Sequence, residues 1–386
     1  MMVRPNDREP PPPRGPRLTR RTLLQRSLLG ALGASPLLAG LGTACQSAAT
    51  PSASAPPAQP TAAPAASATA APSAAAGPSV ALTKPQSAKI AWTAVTGAQS
   101  AVWMAHETGA WKELGLDVDL IRVGSSSRMA ASMQATEIDG GVLDWALAFQ
   151  FIAQGGNARE VGSVTNRLIF AAVSQPSITR PQDVVGKRWG ITRIGSSTHT
   201  ATLVALETWG LKPEDISLIQ LQEVPAILAA LQSQQIDVGT VSPPTSTRAR
   251  DAGLNVLLDL AEDGPDYPSI GLAILDRHVR DNPDLVRAYI AGYAVGVARF
   301  RKDRDKALEV LQKYLQLDDQ AILADTHEKF SRYLAYPPIV PMASLPRVKA
   351  DVEQDDPSVA KVQIADVVAP QIADQLQAQG YFASLL

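Results

Sequence analysis

The 386-residue chain has one cysteine, Cys45, and four histidines. A disulfide within one chain is excluded, because a single cysteine has no partner. His106, His199, His278 and His327 are scattered, with no HxxxH pattern and no carboxylates at ligand spacing. We therefore expect neither a zinc site nor a bound cofactor. No GxSxG elbow and no P-loop motif occurs, so two common sequence signals of enzymes are also lacking.

Long apolar runs are lacking as well. The most apolar stretch, residues 27–41, is too short and too rich in glycine to span a bilayer well. It follows the paired arginines Arg20 and Arg21 and ends in small residues before Cys45. A basic region, a short apolar region and small residues are typical of a secretory signal, and paired arginines indicate the twin-arginine route. We predict that residues 1–45 are an export signal.

Cys45 directly follows small residues, as the acylated cysteine of a lipobox does. Its thiol would be lipidated and would become the new N-terminus after cleavage. Gly42 stands where leucine is usual, so ordinary cleavage nearby is the alternative. With lipidation, the protein would be anchored at the outer face of the cytoplasmic membrane, in the periplasm or cell envelope.

Residues 46–86 consist almost entirely of Ala, Ser, Pro, Thr and Gly and carry no charge before Lys84. Such a segment has too little bulky apolar surface to offset its ordering entropy. We predict a disordered linker that holds a folded body away from the membrane.

The chain after Cys45 is mildly acidic, with 28 basic and 35 acidic residues, a net charge of about −7. This charge argues against nucleic acid and against an anionic membrane surface as partners. The roughly 300 residues after the linker can bury a large core and normally divide into two lobes.

From Lys89 onward, strand and helix patterns alternate, which predicts an α/β fold with a mostly parallel sheet in each lobe. Ligands of such sheets lie at the carboxyl ends of the strands. The predicted strands are 89–95, 116–122, 138–143, 187–192, 216–222, 236–241 and 268–275. The predicted helices are 99–114, 126–135, 144–154, 197–209, 225–232 and 245–252, and the chain after Asp281 is predicted to be mainly helical.

The loop TRIGSSTH at 192–199 joins a predicted strand to a predicted helix. Its small residues allow a ligand to approach the backbone, and the helix N-terminus offers free N–H groups with partial positive charge. The loop therefore predicts a cradle for an anion or a polar group. Serine and threonine before a helix are also ordinary N-caps, so this interpretation stays open. The loop GSSS at 124–127 has the same character.

Several runs resemble the substrate-binding proteins of ABC importers, in the group that handles nitrate, alkanesulfonates, taurine and thiamine-pyrimidine precursors. The resemblance covers roughly residues 89–382. It rests on the order and spacing of PQDVVGKRWGITRIGSSTH at 181–199, WGL at 209–211, LAALQSQQID at 228–237, VSPP at 241–244, EIDGG at 137–141 and GAWKELGLDV at 109–118.

The resemblance implies a type II periplasmic-binding-protein fold, with two α/β lobes, a ligand cleft between them and a helical C-terminal region. Lobe 1 would comprise residues 87–176 and 271–386, and lobe 2 residues 177–270. Carried over by position, the ligand-binding residues would be Thr96, Gln99, Ser100, Ser125, Asp144, Trp145, Gly195, Ser196, Ser197, Thr198, His199, Ser242 and Tyr267.

Asp144 leaves the class of solute open. A carboxylate on the cleft wall would repel nitrate or a sulfonate at short range, and it would tolerate an amine or a pyrimidine better. Alternatively, Asp144 only caps the helix that begins there. The expected solute is therefore a small polar molecule that is a sulfonate, nitrate, a pyrimidine or an amine.

The function implied by the resemblance is binding, not catalysis. A monomer would capture the solute by hinge closure and deliver it to an ABC permease. The alternative is an exported enzyme on the same fold. One known type, a desulfinase, uses a cysteine nucleophile, and the chain after Cys45 contains no cysteine. Another, a pyrimidine synthase, consumes its own active-site histidine.

Overall fold

The computed structural model of the protein describes residues 80–386. The predicted export signal with Cys45, and the predicted linker as far as residue 79, lie outside the described residues. Within residues 80–386, no helix has both the length and the apolar character that crossing a bilayer requires.

Ten strands of the described residues form two five-stranded sheets. The strands are β1 (Gln86–Trp92), β2 (Leu116–Arg122), β3 (Gly140–Asp144), β4 (Ala158–Thr165), β5 (Ala171–Ser174), β6 (Arg188–Ile191), β7 (Ser217–Gln220), β8 (Val238–Val241), β9 (Asn255–Asp259) and β10 (Ile270–Leu275).

The first sheet has the strand order β2-β1-β3-β10-β4, and the second has the order β7-β6-β8-β5-β9. In the first sheet, β1 is parallel to β2 and β3, while β10 is antiparallel to β3 and β4. In the second, β6 is parallel to β7 and β8, while β5 is antiparallel to β8 and β9. Each half is therefore a mostly parallel sheet with one antiparallel strand inserted beside its third strand. We call these halves lobe 1 and lobe 2.

The position of each strand follows from its residues. The central strands β3 and β8 are buried along their whole length, and their sequences GGVLD and VGTV carry no exposed alternate positions. The edge strand β2, LDVDLIR, starts with alternating buried and exposed residues.

The chain passes between the sheets twice, between Thr165 and Ala171 and between Asp259 and Ile270.

Helices cover both sheets. They are α1 (Ser100–Glu107), α2 (Ala110–Glu113), α3 (Ser126–Gln134), α4 (Trp145–Ala153), α5 (Ser197–Thr208), α6 (Val224–Gln232), α7 (Thr245–Asp251), α8 (Asp276–Asp281), α9 (Pro283–Lys302), α10 (Arg304–Leu315), α11 (Gln320–Tyr333), α12 (Leu345–Asp355), α13 (Ile364–Val367) and α14 (Gln371–Ala378). Short 3-10 turns occur at Gly97–Gln99, Pro181–Val184, Pro213–Asp215, Pro357–Lys361 and Ala383–Leu385.

The long helix α9 packs against α1 and α2 in the core of lobe 1. Trp111 of α2 donates its indole N–H to the carbonyl of Tyr289 at 2.9 Å, and the two rings stack with centroids 6.2 Å apart. The C-terminal helices thus complete lobe 1, which confirms the prediction of a mainly helical chain after Asp281.

Candidate functional site

A cavity lies between the two lobes, at the carboxyl ends of β1, β2 and β6. Its empty space, the open mouth included, amounts to about 630 Å³. Its wall consists of residues 93–96, Ala98, Gln99, Arg122, 124–126, Thr165, Ile169, Phe170, Thr192, 196–198, Glu223, Val224, Ser242, Ser269 and Ile270. Seven predicted site residues lie on this wall, namely Thr96, Gln99, Ser125, Ser196, Ser197, Thr198 and Ser242.

The lobe 1 wall includes the N-terminus of α3. Gly124 has a φ of +81°, which turns the chain from β2 into the helix at low cost. Ser125 is the N-cap, and its hydroxyl accepts a hydrogen bond from the backbone N–H of Arg128 at 3.3 Å. The first N–H groups of an α-helix have no partner within the helix. The α3 terminus therefore presents donors and partial positive charge at the cavity.

Three polar atoms of this wall are buried and have no hydrogen-bond partner among residues 80–386. They are Gln99 Oε1, Thr165 Oγ1 and Ser269 Oγ. Each of the three residues is 1% exposed and lines the cavity. The Gln99 amide nitrogen donates to Thr93 Oγ1 at 3.4 Å, which leaves its oxygen free. These atoms can hydrogen-bond a small polar molecule in the cavity.

The lobe 2 wall carries the N-terminus of α5 and a lobe 2 hydroxyl cluster, formed by Thr192, Ser196 and Thr198. The Oγ1 of Thr192 lies 2.7 Å from Ser196 Oγ and 2.9 Å from Thr198 Oγ1. Ser196 Oγ lies 3.0 Å from Thr198 Oγ1 and donates to the carbonyl of Arg193 at 2.7 Å. Thr198 Oγ1 also accepts the backbone N–H of Thr192 at 2.8 Å. The cluster fixes the loop that leads into α5.

The two lobes touch across the cavity. Ser242 Oγ donates to Thr96 Oγ1 at 2.8 Å, and Thr96 Oγ1 donates to the carbonyl of Pro243 at 3.1 Å. At the rim, Arg122 and Glu223 form an ion pair of 2.8 Å, with side chains 41% and 46% exposed. The two lobes are therefore in direct contact beside the cavity and at its rim.

Asp144 and Trp145 do not lie on the wall of this cavity, and their predicted role in ligand binding stays a prediction. One Asp144 carboxylate oxygen caps α4, accepting the N–H groups of Ala146 at 3.0 Å and Leu147 at 3.2 Å. Trp145 is fully buried in the hydrophobic core. Ser100, at the start of α1, is also fully buried and lies behind Gln99. The first turns of the two helices point these side chains inward.

Burial raises the pKa of Asp144 to about 6, against the opposing effects of the Leu147 N–H, the Ser197 hydroxyl and the Ala146 N–H. Glu160 of β4 is likewise buried, and its pKa is raised well above the usual range by burial and then by the charge of Asp144. Neither acid is on the cavity wall, but Asp144 lies beside Ser197 of lobe 2, which is.

Gly195, His199 and Tyr267 line a second cavity, between α4, α5 and α12, and their predicted role in ligand binding stays a prediction. His199 Nδ1 accepts the N–H of Gly195 at 3.3 Å. Burial lowers the pKa of His199, and the charge of Asp355 opposes this effect. Thr198 and His199 are neighbours in α5, and successive helix residues differ in direction by about 100°, so they face different cavities.

Sequence reasoning missed several wall residues, including Thr93, Arg122, Thr165, Thr192, Glu223 and Ser269. Thr192 belongs to the loop singled out from the sequence, so that signal was present. Thr165 and Ser269 lie at the two passages between the sheets, and their meeting depends on how the whole chain folds. Ser269 donates its backbone N–H to the Thr165 carbonyl at 3.0 Å, which joins the two passages.

The two lobes, their sheet orders and the cleft between them define the class of periplasmic binding proteins. Residues 98–307 match the model of the family described as NMT1/THI5 like. The match covers more than half of the chain, and the chain belongs to the NMT1/THI5-like family. The family resemblance predicted from the sequence is thereby confirmed.

Named relatives fit this family. The taurine-binding periplasmic protein of Escherichia coli strain K12 is 29% identical over 192 residues, which are 48% of this chain and 53% of that protein. The chain thus matches about half the length of this relative.

Solved structures share the fold. The alkanesulfonate-binding protein SsuA of Xanthomonas axonopodis pv. citri, bound to MOPS, aligns with a TM-score of 0.64 at 17% identity, over 75% of this chain and 100% of that one. The desulfurization enzyme DSZB aligns with a TM-score of 0.55 at 16% identity, over 76% of this chain and 99% of that one. These alignments confirm the predicted type II periplasmic-binding fold.

Proposed function

We propose that the protein is an exported solute-binding protein that holds a small polar solute with an anionic head, such as a sulfonate, in the interlobe cavity. The observation that carries this proposal is the meeting of two helix N-termini, those of α3 and α5, on opposite walls of one cavity. Free N–H groups and the partial positive ends of two helices favour negative charge between them.

The side chains of the wall support the same solute class. Arg122 is paired with Glu223, so the charged side chains of the wall balance each other and the backbone supplies most of the positive potential. Asp144 is not a wall residue, and one of its carboxylate oxygens accepts two backbone N–H groups of α4. These hydrogen bonds weaken the argument that Asp144 repels anions from the cavity. A sulfonate head offers several acceptor oxygens to N–H and hydroxyl donors from both lobes.

The rest of the solute would meet the unpartnered lobe 1 atoms. Gln99 Oε1, Thr165 Oγ1 and Ser269 Oγ each carry a desolvation cost while they lack a partner. A solute with a polar group beyond its anionic head would recover this cost. Taurine, the ligand in the name of the Escherichia coli relative, has an amine in that position relative to its sulfonate.

Binding would act through hinge closure. The contacts of Thr96 with Ser242 and Pro243 join the lobes beside the cavity, so a solute that touches both walls favours the same closed form. The closed form would dock on an ABC permease, to which the solute is delivered. We propose that Cys45 carries a lipid and that residues 46–79 act as the tether, since Val80 and Leu82 already pack on lobe 1 and Gln86 begins β1.

An exported enzyme on the same fold is the second candidate, and the fold it shares with DSZB favours it. The cavity wall, as far as residues 80–386 form it, contains no cysteine and no histidine. His199, the one predicted site histidine, lines the second cavity instead. We therefore rank binding above catalysis.

A thermal-shift series on the purified chain tests the function. Taurine, ethanesulfonate and ethanolamine share a two-carbon core and differ in their sulfonate and amine groups, and nitrate and a pyrimidine complete the series. A solute at about 100 times its Kd stabilises the protein by about 2.7 kcal/mol. We expect stabilisation by taurine or ethanesulfonate and none by ethanolamine. Stabilisation by ethanolamine alone would contradict the anionic-head proposal, and consumption of the solute would support the enzyme.

A further inference from the structure

We propose that Thr240 of β8, which does not line the cavity, is a positioning residue that sets the N-terminal turn of α5 for solute binding. This inference rests on the proposed function and deepens it by naming a residue that acts through others. Thr240 is 1% exposed and lies two residues before Ser242, which is on the cavity wall.

A chain of hydrogen bonds runs from the core of lobe 2 to α5. The indole N–H of Trp189 donates to Thr240 Oγ1 at 2.9 Å. Thr240 Oγ1 lies 2.6 Å from Thr202 Oγ1, and Thr202 Oγ1 donates to the carbonyl of Thr198 at 2.8 Å. Trp189 and Thr202 are fully buried, so none of these bonds competes with bulk water.

The two ends of this series of hydrogen bonds determine which atom donates and which accepts in each bond. An indole nitrogen can only donate, so Thr240 Oγ1 accepts from Trp189. A threonine hydroxyl has one hydrogen, and that of Thr202 is used on the Thr198 carbonyl. The hydrogen of the bond between the two threonines therefore belongs to Thr240. In this series of hydrogen bonds among the described residues, Thr240 of β8 joins Trp189 of β6 to Thr202 of α5.

The chain ends at the residue that organises the lobe 2 hydroxyl cluster. Thr198 Oγ1 accepts the N–H of Thr192 and contacts both other hydroxyls of the cluster. Fixing the Thr198 carbonyl fixes the first turn of α5, and with it the direction of the free N–H groups. The strand that carries Thr240 also carries the interlobe contact of Ser242 with Thr96. Thr240 thus fixes the position of the N-terminal turn of α5, which lines the cavity, relative to Ser242, which contacts lobe 1.

The buried Ala201, Val204 and Ala205 also pack α5 onto lobe 2. Replacing both partners of a buried hydrogen bond by apolar groups of the same shape is nearly neutral, whereas removing one partner leaves the other unsatisfied. Valine has nearly the shape of threonine, so Thr240→Val keeps the apolar packing, removes the link and leaves the buried indole N–H of Trp189 without its acceptor. A connected network specifies one arrangement of its members, and this arrangement is what the variant tests.

Amide hydrogen exchange of the solute-free chain tests the positioning directly. We expect Thr240→Val to speed exchange at residues 192–200 roughly tenfold and to leave β1–β4 unchanged. The control is Thr208→Val, because Thr208 donates to the carbonyl of Val204 at 2.7 Å, as Thr202 does to that of Thr198, but in the last turn of α5 and outside the hydrogen-bond chain. Exchange at residues 192–200 equal to the wild type would overturn the inference. Thr202→Val breaks the same chain and replaces Thr240→Val if that variant does not fold.

Calorimetric titration with ethanesulfonate adds the functional readout. We expect Thr240→Val to weaken affinity roughly tenfold, with Thr240→Ser close to the wild type because it keeps the hydroxyl. Equal weakening by Thr240→Ser and Thr240→Val would contradict a role for the hydrogen bond. A wild-type chain that does not bind ethanesulfonate contradicts the proposed function, and the exchange experiment still decides the role of Thr240.

Discussion

Ser242, just after β8 in lobe 2, donates its hydroxyl hydrogen to Thr96, just after β1 in lobe 1, over an oxygen–oxygen distance of 2.8 Å. Both residues are buried and both line the cavity. The same two side chains therefore join the lobes and line the cavity, so under the proposed function they would take part in both closure and solute binding.

Ser242→Ala should shift the solute-free protein toward an open form. Loss of this hydrogen bond costs about 1 kcal/mol, or roughly a fivefold change in the ratio of open to closed molecules. Small-angle X-ray scattering would show a larger radius of gyration. Ser233→Ala is the control, because Ser233 bonds only within α6 and its end, to the carbonyl of Ala229 at 2.8 Å. An unchanged radius for Ser242→Ala would show that this contact does not hold the lobes together.

Glu223→Gln should strengthen the binding of a sulfonate. It removes the anionic partner of Arg122 and leaves a guanidinium at the cavity rim. Because both side chains are more than 40% exposed, we expect a gain of only a few-fold in affinity, and a smaller gain at high salt. Calorimetry measures it, and Glu207→Gln is the control, since Glu207 pairs with Arg347 beside the second cavity. Weaker binding by Glu223→Gln would mean that Glu223 itself contacts the solute.

Asp144→Asn should flatten the dependence of stability on pH. The folded pKa of Asp144, about 6, lies above its unfolded value of about 3.9, so folding favours the protonated acid. This stabilisation is complete below the unfolded pKa and is lost as pH rises through about 6. The loss amounts to up to roughly 3 kcal/mol between pH 3 and pH 8.

Urea unfolding of the wild type and Asp144→Asn at pH 4.5, 6 and 7.5 measures this effect. Asparagine is also a good N-cap, so its amide oxygen keeps the α4 contacts. Asp144→Ala is the contrast, and it should lose about 1 kcal/mol at each pH because the cap is gone. Identical pH profiles for the wild type and Asp144→Asn would show that Asp144 does not titrate in this range.

Glu160→Gln should protect the protein at alkaline pH. Neither carboxyl oxygen of Glu160 has a partner among the described residues, and burial raises its pKa well above the usual range. The neutral acid is stable inside lobe 1, and stability is lost as pH rises through the folded pKa. Glutamine is neutral at every pH, so in urea unfolding the variant should lose less stability than the wild type as pH rises above the unfolded pKa of about 4.3. A steeper alkaline loss in the variant would contradict this account.

The sequence was enough to predict most of the α/β elements. β1, β2 and α3 could be predicted because their apolar residues recur with clear strand or helix periods. β4, β5 and β9 were missed. β5 has only four residues, AAVS, and β9 has five, NVLLD, so neither gives a period that separates strand from helix.

The site could be predicted only in part. Loops after parallel strands meet at one edge of a sheet, which is why Thr96, Ser125 and Ser197 were placed on the wall. Which side of a loop faces the cavity depends on helix rotation, so the sequence could not show that Asp144 lies off this wall and that His199 lines the second cavity. The partners of Thr165 and Ser269 come from distant parts of the chain, and no local pattern identifies them.

Binding by helix N-termini is tested most directly at Ser197, the first residue of α5. Proline is tolerated at the first position of a helix, and it has no backbone N–H. The preceding residue, Ser196, already has the extended backbone, φ −99° and ψ 167°, that a residue before proline adopts. Ser197→Ala removes only the hydroxyl and keeps the N–H.

The measurement is calorimetric titration of ethanesulfonate into the wild type, Ser197→Pro and Ser197→Ala. We predict that Ser197→Pro weakens affinity at least about tenfold, because a hydrogen bond to an anion is lost, and that Ser197→Ala weakens it less. Equal affinity of Ser197→Pro and the wild type, with both variants folded, would contradict the account.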